Sequence, residues 1–227
     1  MKHLDLYSKI EPLIGFYNEY EKLYKLYLRE LLNYDVKTIL DVGCGNGTLL
    51  SYLQPGYFAK GIDLSSHMVG IAKAKGLDVT CKGIGAVDEK FDVVLAVSDV
   101  LNYLDFSQLE KFLVNVERVL NDDGIFICDI NTLFGFEEIT AGCMSVDTDE
   151  QFLSIEADFN DNVLVTCITL FEKQDKLYAK ESAEILQYYY EISEIISLSN
   201  LTFISSKKVA LFSDQADKNL LIFKKDT

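Results

Sequence analysis

The sequence has 227 residues, of which 49% are hydrophobic and only 2 are prolines, so it can form one sizeable core and should lack long disordered tails. Its formal net charge of -15 predicts an average surface that repels phosphate backbones, and no dense Lys/Arg cluster reverses this locally, which argues against nucleic acid as a partner. No apolar run is long enough to span a bilayer and no signal peptide is apparent, so the composition predicts a cytoplasmic protein with no membrane partner.

The first predicted element relevant to function is an amphipathic helix. Aromatic and aliphatic residues recur at helical spacing from Tyr17 to Leu32. Most of its tyrosines are expected to pack in a core or an interface.

A glycine-rich loop follows, between a strand and a helix. The apolar run 38–42 stops at Gly43, Gly45 and Gly47, and apolar residues then resume at helical spacing over 48–53. Glycines allow a backbone to approach a ligand closely, and the first turn of the next helix presents unpaired N–H groups. The pattern therefore predicts a docking site for a small polar molecule.

The chemistry of this loop favours a ligand with a positive charge. Its spacing is G-x-G-x-G, which differs from the G-x-G-x-x-G loop that usually receives a pyrophosphate. Asp41 stands immediately before it, and a carboxylate there would repel pyrophosphate but attract an ammonium or sulfonium group.

The segments D-V-G-C-G-N-G (41–47) and G-I-D-L-S (61–65) resemble the nucleotide-binding half of the class I S-adenosylmethionine-dependent methyltransferases. The resemblance implies that S-adenosylmethionine is the cofactor and that the loop holds its methionine part. It also implies that Asp63, about 20 residues after the loop, binds both ribose hydroxyls. A carboxylate suits that role because it can accept two hydrogen bonds at once.

Further cofactor contacts are expected on both sides of this loop. In the resembled family an N-terminal segment often closes over the cofactor, so Tyr7 or Tyr17 could act as lid residues. The residues expected to bind the cofactor are Tyr17, Asp41, Gly43, Cys44, Gly45, Asp63, Leu64, Ile84 and Ser98.

The alternation of strands and helices predicts the fold class. Strands are expected at 59–62, 79–82, 92–98 and 125–130, helices at 66–75 and 106–120, and a turn at 121–124. This order indicates an α/β fold with a Rossmann-like, doubly wound, mostly parallel sheet that binds ligands at the carboxyl ends of its strands. Asp41, Asp63, Ser98 and Asp129 fall at such ends and should share one crevice.

The stretch after the third strand departs from the family pattern. Many relatives carry an acid there that hydrogen-bonds the adenine amino group, whereas C-K-G-I at 81–84 has no carboxylate. We expect backbone groups near Gly83 and Ile84, with apolar walls, to hold the adenine instead.

The segment S-D-V-L-N-Y-L (98–104) follows the fourth strand, where the family places groups beside the transferable methyl. Asp99 is expected to bind an amine or take a proton, while Asn102 and Tyr103 orient it. The alternative is that Asp99 and Asn102 cap the next helix and Tyr103 packs in the core.

Two further groups are candidates for the substrate side. Asp129 and Asn131 end the fifth strand, where they either contact substrate or bind only backbone in the following loop. The tyrosines at 188–190 alternate between the two faces of a predicted strand, so one should pack in the core and another could line a substrate wall.

The β/α alternation stops after residue 135. Strands expected at 152–159, 163–173 and 177–190 are joined by short turns, which predicts an antiparallel meander. A helix at 191–199 and strands at 203–212 and 219–225 would complete the parent sheet. The predicted organisation is a Rossmann-like core with an N-terminal helical cap (1–135), a small antiparallel β insertion (136–190) and a closing helix and strand pair (191–227).

These features predict methyl transfer from S-adenosylmethionine to a small molecule, at nitrogen or oxygen, with the insertion covering substrate or forming the contact of a homodimer. One alternative is a nicotinamide-dependent oxidoreductase, which the glycine spacing and Asp41 disfavour; another is a non-catalytic protein that senses the cofactor. The five cysteines lie far apart with no C-x-x-C pair, so neither a metal site nor a disulfide framework is predicted.

Overall fold

The computed structural model describes residues 2–227, with side chains from Asp5 onward, and contains one large and one small β-sheet. The helices are α1 (Lys2–Ile14), α2 (Tyr17–Leu31), α3 (Thr48–Leu53), α4 (Ser66–Ala74), α5 (Phe106–Val119) and α6 (Ile192–Leu198). The strands are β1 (Thr38–Val42), β2 (Phe58–Asp63), β3 (Val79–Cys81), β4 (Phe91–Ala96), β5 (Leu120–Asn131), β6 (Gly142–Asp147), β7 (Gln151–Asn160), β8 (Val163–Gln174), β9 (Leu177–Tyr188), β10 (Thr202–Val209) and β11 (Lys218–Lys224).

The large sheet has the strand order β10-β11-β5-β4-β1-β2-β3. Strands β1 to β5 pair in parallel, whereas β11 pairs antiparallel with β5 and β10 antiparallel with β11. The chain runs from β1 outward to β3 and then returns to the other side of β1 with β4. This reversal opens a crevice at the carboxyl ends of β1 and β4, the usual ligand position in such sheets. The α/β fold class predicted from the sequence is confirmed.

Local sequence accounts for the helices that flank the sheet. Helix α5 begins with a capping box, in which the Asp105 side chain accepts from the Gln108 N–H and the Gln108 side chain accepts from the Asp105 N–H. Its buried residues recur every three or four positions, as on one face of a helix.

No helix within residues 2–227 combines the length and apolar character needed to cross a bilayer.

Three apolar clusters hold the molecule together. One lies on each face of the large sheet, and both are rich in β-branched and leucine side chains from β1, β4 and β5. The third joins α1 to the small sheet through Leu6 and Ile10 on the helix and Leu153, Ile168 and Ile185 on the strands. Helix α1 therefore ties the N-terminus to the insertion.

The small antiparallel sheet has four strands in the order β6-β7-β8-β9, one more than the sequence predicts. The additional strand, β6, pairs along its length with β7. Strand β6 was not predicted because it has only six residues and their polarity is mixed, so only its pairing with β7 defines it. Helix α1 was also absent from the prediction, because its apolar face is completed by the insertion sheet, far away in sequence.

The predicted turn at 121–124 is incorporated into β5 as an irregular segment. Phe91 of β4 pairs with Leu120, but Val93 pairs with Ile125, so extra residues of β5 bulge out between these pairs. Asp123 has a φ of 63°, which matches a turn residue inside this bulge.

Candidate active site

A cavity of about 970 Å³ lies between the two sheets, above the carboxyl ends of β1, β2 and β4. Helix α1 and the first turns of α2 close one side of it. Strands of the insertion contribute another wall, which comprises Met144, Ile155, Ala157, Leu164, Thr166, Ile168, Ile185 and Gln187. The cavity is therefore shared by the core, the N-terminal helices and the insertion.

The glycine-rich loop forms one edge of this cavity. Gly43 has a φ of +72°, and a Cβ there would lie 2.8 Å from Val100 Cγ2, so a larger residue would be both strained and crowded. Gly45 has a φ of +52° and nothing within 4 Å of an added Cβ, so its open side faces the cavity that it lines. The loop thus presents bare backbone to a ligand.

Asp63 lies beside this loop at the end of β2. Its Oδ2 accepts a hydrogen bond from the Gly45 N–H at 2.9 Å, and its Oδ1 accepts from the Ser65 N–H at 2.7 Å. Each carboxylate oxygen can accept more than one hydrogen bond, so both can still receive a hydroxyl. The backbone bonds fix the carboxylate in a position suited to a pair of adjacent ribose hydroxyls.

Asp41 is the most unusual acid of the cavity. It is 2% exposed, and its Oδ2 is buried without a hydrogen-bond partner among the described residues. Burial, with a smaller contribution from the nearby charge of Asp63, raises the pKa of Asp41 to about 7. A buried acceptor without a partner is costly, and a cationic ligand would satisfy it. Together with the bare loop and Asp63, this fits a nucleoside cofactor that carries an amino-acid ammonium.

Beyond Asp63, on the side of the glycine loop, the wall of the cavity includes Leu64, Gly83 and Ile84 together with Lys82 and Asn115. That this wall holds the adenine stays a prediction. Arg118 holds this wall from behind, because its guanidinium donates to the carbonyl oxygens of Val87 at 2.6 Å and Ile84 at 3.1 Å. Arg118 was missed because its sequence context is that of an ordinary helix arginine.

Strand β4 ends in a constrained loop that faces the other half of the cavity. Ser98 and Asp99 both have a φ of 64°, a conformation that residues other than glycine rarely adopt. The fully buried Asp129 carboxylate stabilises it by accepting from the Ser98 N–H at 2.8 Å and the Asp99 N–H at 3.1 Å. Tyr27 donates its hydroxyl to the same carboxylate at 2.6 Å. Asp129 therefore binds backbone beneath the cavity, in the loop after β4 instead of the loop after β5.

A buried lysine, Lys218, connects this loop to β5. Its ammonium forms an ion pair with Asp99, lies 3.4 Å from Asp129 Oδ2 and donates to Asn131 Oδ1 at 2.9 Å. Burial raises the pKa of Asp99 to about 6, although Lys218 opposes this shift. Burial alone would lower the pKa of Lys218, but Asp99 and Asp129 outweigh it and raise that pKa, so the lysine stays charged.

Aromatic side chains complete the wall beside Asp99. Tyr7, Tyr20 and Tyr103 line the cavity, and the hydroxyls of Tyr7 and Tyr20 lie 3.4 Å apart. Burial raises the pKa of all three tyrosines, so their hydroxyls are neutral at physiological pH. They can donate or accept a hydrogen bond but carry no charge.

The structure places most of the predicted site residues on the cavity wall. They are Asp41, Gly43, Cys44, Gly45, Asp63, Leu64, Ile84, Ser98, Asp99 and Tyr103. Their contacts with cofactor and substrate stay predictions.

Two predicted site residues lie elsewhere. Tyr17 is 55% exposed at the start of α2, and Tyr7, Tyr20 and Tyr24 occupy the lining on that side. Asn102 is completely buried behind the wall, where it donates to the Tyr188 carbonyl at 2.7 Å and accepts from the Asn131 N–H at 3.0 Å. Asn102 thus lies behind the half of the cavity beside Asp99. This is termed the acceptor half, because the methyl acceptor is expected there.

The alternative role of Asp99 and Asn102 as caps of the next helix is wrong, because Asp105 caps α5. Lys218 was missed because its partners lie far away in the chain, and no local pattern marks it.

Among the side chains that the structure describes, no three His, Cys, Asp or Glu residues converge as a metal site.

Comparison with known proteins indicates a methyltransferase. The model of a methyltransferase domain matches residues 39–124. A Geobacillus sp. (strain WCH70) protein named "Putative methyltransferase GWCH70_2453" is 25% identical over 199 residues, which cover 78% of this chain and 81% of that protein.

Two solved structures share the fold over nearly the whole chain. A S-adenosylmethionine-dependent methyltransferase from Clostridium acetobutylicum has a TM-score of 0.81 at 21% identity and covers 100% of both chains. The sugar N-methyltransferase KedS8 from Streptoalloteichus sp. has a TM-score of 0.74 at 16% identity, covering 99% of this chain and 93% of that one.

The doubly wound sheet, the glycine loop and the acids Asp41 and Asp63 define an enzyme that uses a nucleoside cofactor. The methyltransferase-domain match over residues 39–124, the relatives and the shared fold support a class I S-adenosylmethionine-dependent methyltransferase. S-adenosylmethionine is the cofactor, and when bound it supplies an electrophilic methyl group on a sulfonium. These findings do not support the nicotinamide-dependent or non-catalytic alternatives.

Proposed function

We propose that this enzyme transfers the methyl group to the nitrogen of a small-molecule amine. The observation that carries the proposal is the ion pair between Asp99 and Lys218, which both line the cavity. Lys218 is 2% exposed and stays charged, so Asp99 is already neutralised by a fixed partner.

The ion pair between Asp99 and Lys218 bears differently on the two candidate acceptor atoms, oxygen and nitrogen. A hydroxyl is a very weak acid, and its methylation is helped by a general base that removes the proton. An amine reacts through its own lone pair, and its neutral fraction at physiological pH needs only to be oriented. Among the residues described on the cavity wall there is no histidine, and the tyrosines are neutral. The site is therefore better suited to a nucleophile that needs no strong base.

The roles of this chain's own residues are then positioning and exclusion of water. The hydroxyls of Tyr7, Tyr20 and Tyr103 can accept the N–H bonds of an amine and aim its lone pair at the cofactor half. Asp99 keeps free acceptor capacity beside its ion pair and favours an amine over an anionic group. Such orientation supplies most of the rate in an in-line displacement.

The insertion acts as the substrate cover in this proposal. Its inner face is largely apolar and forms the wall opposite the large sheet, so an acceptor would be enclosed between the two sheets. The similarity to KedS8, which is described as a sugar N-methyltransferase, agrees with a small polar amine as substrate.

The proposal is tested with purified protein, isotopically labelled S-adenosylmethionine and a panel of small amino alcohols that includes ethanolamine and glucosamine. Each of these carries both candidate acceptor atoms, and mass spectrometry with fragmentation locates the label. We expect label on nitrogen alone, and no transfer by the Asp63→Ala variant. Label on oxygen, or transfer to matched alcohols without transfer to any amine, would contradict the proposal.

A further inference from the structure

Asn131 lines the cavity and carries a side-chain hydrogen-bond donor that no described residue satisfies. It is the last residue of β5 and is 4% exposed. Its Oδ1 accepts from Lys218 Nζ at 2.9 Å, and its N–H donates to Asn102 Oδ1 at 3.0 Å. Its Nδ2 is buried and has no hydrogen-bond partner among the described residues.

The chemistry of Lys218 fixes which way this amide faces. An ammonium only donates hydrogen bonds, so the amide oxygen must face it and the NH₂ group must face away from it. Lys218 and Asn131 are paired across β11 and β5, and the ion pair with Asp99 holds the ammonium. The orientation of the donor is therefore set before any ligand arrives.

The strand order separates this donor from the cofactor half. The glycine loop follows β1 and Asp63 ends β2, whereas Asn131 ends β5, two strands from β1 in the opposite direction. Neighbouring strands are roughly 5 Å apart, so the ends of β1 and β5 are about 10 Å apart. Asn131 lies on the Asp99 side, where the acceptor would bind.

We infer that Asn131 Nδ2 binds an oxygen of the methyl acceptor, so the preferred substrate is an amine that carries a hydroxyl, ether or carbonyl oxygen. The inference rests on the proposed function for the amine, and it adds the second group that the enzyme recognises. A buried donor is satisfied by such an oxygen and left unpaired by a hydrocarbon, which is a strong basis for discrimination.

The test uses two amines of the same size, methoxyethylamine and butylamine, which differ by one oxygen in place of a methylene. The ether oxygen can only accept a hydrogen bond, so it reports on a donor alone. The Asn131→Asp variant removes the donor while a carboxylate can still pair with Lys218. The control is Asn33→Asp, the same change at an exposed residue that contacts Glu30 near the end of α2.

We expect the wild-type enzyme and the Asn33→Asp variant to favour methoxyethylamine in kcat/KM by about tenfold, the value of one hydrogen bond. The Asn131→Asp variant should lose this preference and still bind S-adenosylhomocysteine with unchanged affinity. Equal use of both amines by the wild type, or an undiminished preference in Asn131→Asp, would overturn the inference. A loss of S-adenosylhomocysteine affinity in that variant would assign Asn131 to the cofactor and also overturn it.

A binding measurement separates this inference from the proposed function. In protein labelled with ¹⁵N at asparagine, the Asn131 NH₂ signal is identified by its absence from Asn131→Asp. In the S-adenosylhomocysteine complex, methoxyethylamine should shift this signal and butylamine should not. Such a shift without methylation of either amine would refute the proposed function alone. No shift with methoxyethylamine would refute the inference, whether or not amines are methylated.

Discussion

At the scale of single residues, Asp41 carries the clearest electrostatic signature of the site. Its Oδ2 is buried without a partner, and its pKa is raised to about 7 by burial and by the charge of Asp63. Such a group makes the cofactor-free protein less stable where it is ionised, and it is well placed to attract a cationic ligand.

This gives a prediction for the dependence of stability on pH. The unfolded chain releases the Asp41 proton near pH 3.8 and the folded chain near pH 7, so the folded state holds more protons between these values. The contribution of Asp41 to stability is therefore complete below pH 3.8 and is lost as the pH rises through 7. The size of this loss is up to about 4 kcal/mol.

Urea unfolding of the cofactor-free protein between pH 5 and pH 8 measures this effect, with Asp41→Asn as the comparison. The free energy of unfolding of the wild type should fall relative to the variant as the pH rises, because the amide cannot ionise. A constant difference between the two proteins across this range would show that Asp41 does not titrate there.

The residues also show what a sequence can reveal about this site. Asp41, Gly43 and Asp63 could be predicted because a strand, a tight loop and a helix form locally, and the required residue types follow one another in the chain. Asn131 could be predicted as a candidate because it ends a predicted strand, but Lys218 could not, because it lies 87 residues away and meets Asn131 only through the pairing of β11 with β5. Tyr17 was expected at the cofactor because an N-terminal segment often closes over it in the resembled family, but helical spacing alone does not tell which tyrosines of α2 turn inward.

At the scale of secondary-structure elements, the connection from β1 to α3 depends on backbone geometry. Gly43 has positive φ, and an added methyl would lie 2.8 Å from Val100 Cγ2. Gly70 offers a matched control, because it lies exposed in α4 with nothing within 4 Å of an added Cβ.

We predict opposite effects for the same substitution at these two glycines. Gly43→Ala should lower the free energy of unfolding by about 1–3 kcal/mol and weaken binding of S-adenosylhomocysteine, because strain and crowding displace the loop. Gly70→Ala should raise that free energy by about 0.5–1 kcal/mol and leave binding unchanged, since alanine favours the helix. Chemical denaturation and calorimetry measure both, and full cofactor affinity in Gly43→Ala would refute the role given to the loop.

The elements also differ in how far the sequence predicts them. The parallel strands β1 to β5 are marked by apolar runs and helix signals close in the chain, and their observed bounds lie near the predicted ones. Strand β6 and helix α1 are defined by tertiary partners, β7 in one case and the insertion sheet in the other. Local pattern does not contain that information.

At the scale of the whole molecule, the cavity exists because the Rossmann-like core, the N-terminal helices and the insertion meet. Helix α1 joins the other two, since Glu11 accepts from the Asn46 side chain of the glycine loop and Lys9 forms an ion pair with Glu181 of β9. The apolar contacts of Leu6 and Ile10 with the insertion strengthen this link. The division of the chain at residues 135 and 190 and a homodimer through the insertion stay predictions.

The most direct test of the cofactor site is calorimetric titration with S-adenosylhomocysteine and with reduced nicotinamide cofactor. It compares the wild type, Asp63→Ala and Asp78→Ala, where Asp78 is an exposed acid just before β3. We expect the wild type and Asp78→Ala to bind S-adenosylhomocysteine, Asp63→Ala to bind it at least about tenfold more weakly, and none of the three to bind the nicotinamide cofactor. Binding of the nicotinamide cofactor, or equal affinity of Asp63→Ala for S-adenosylhomocysteine, would contradict this expectation.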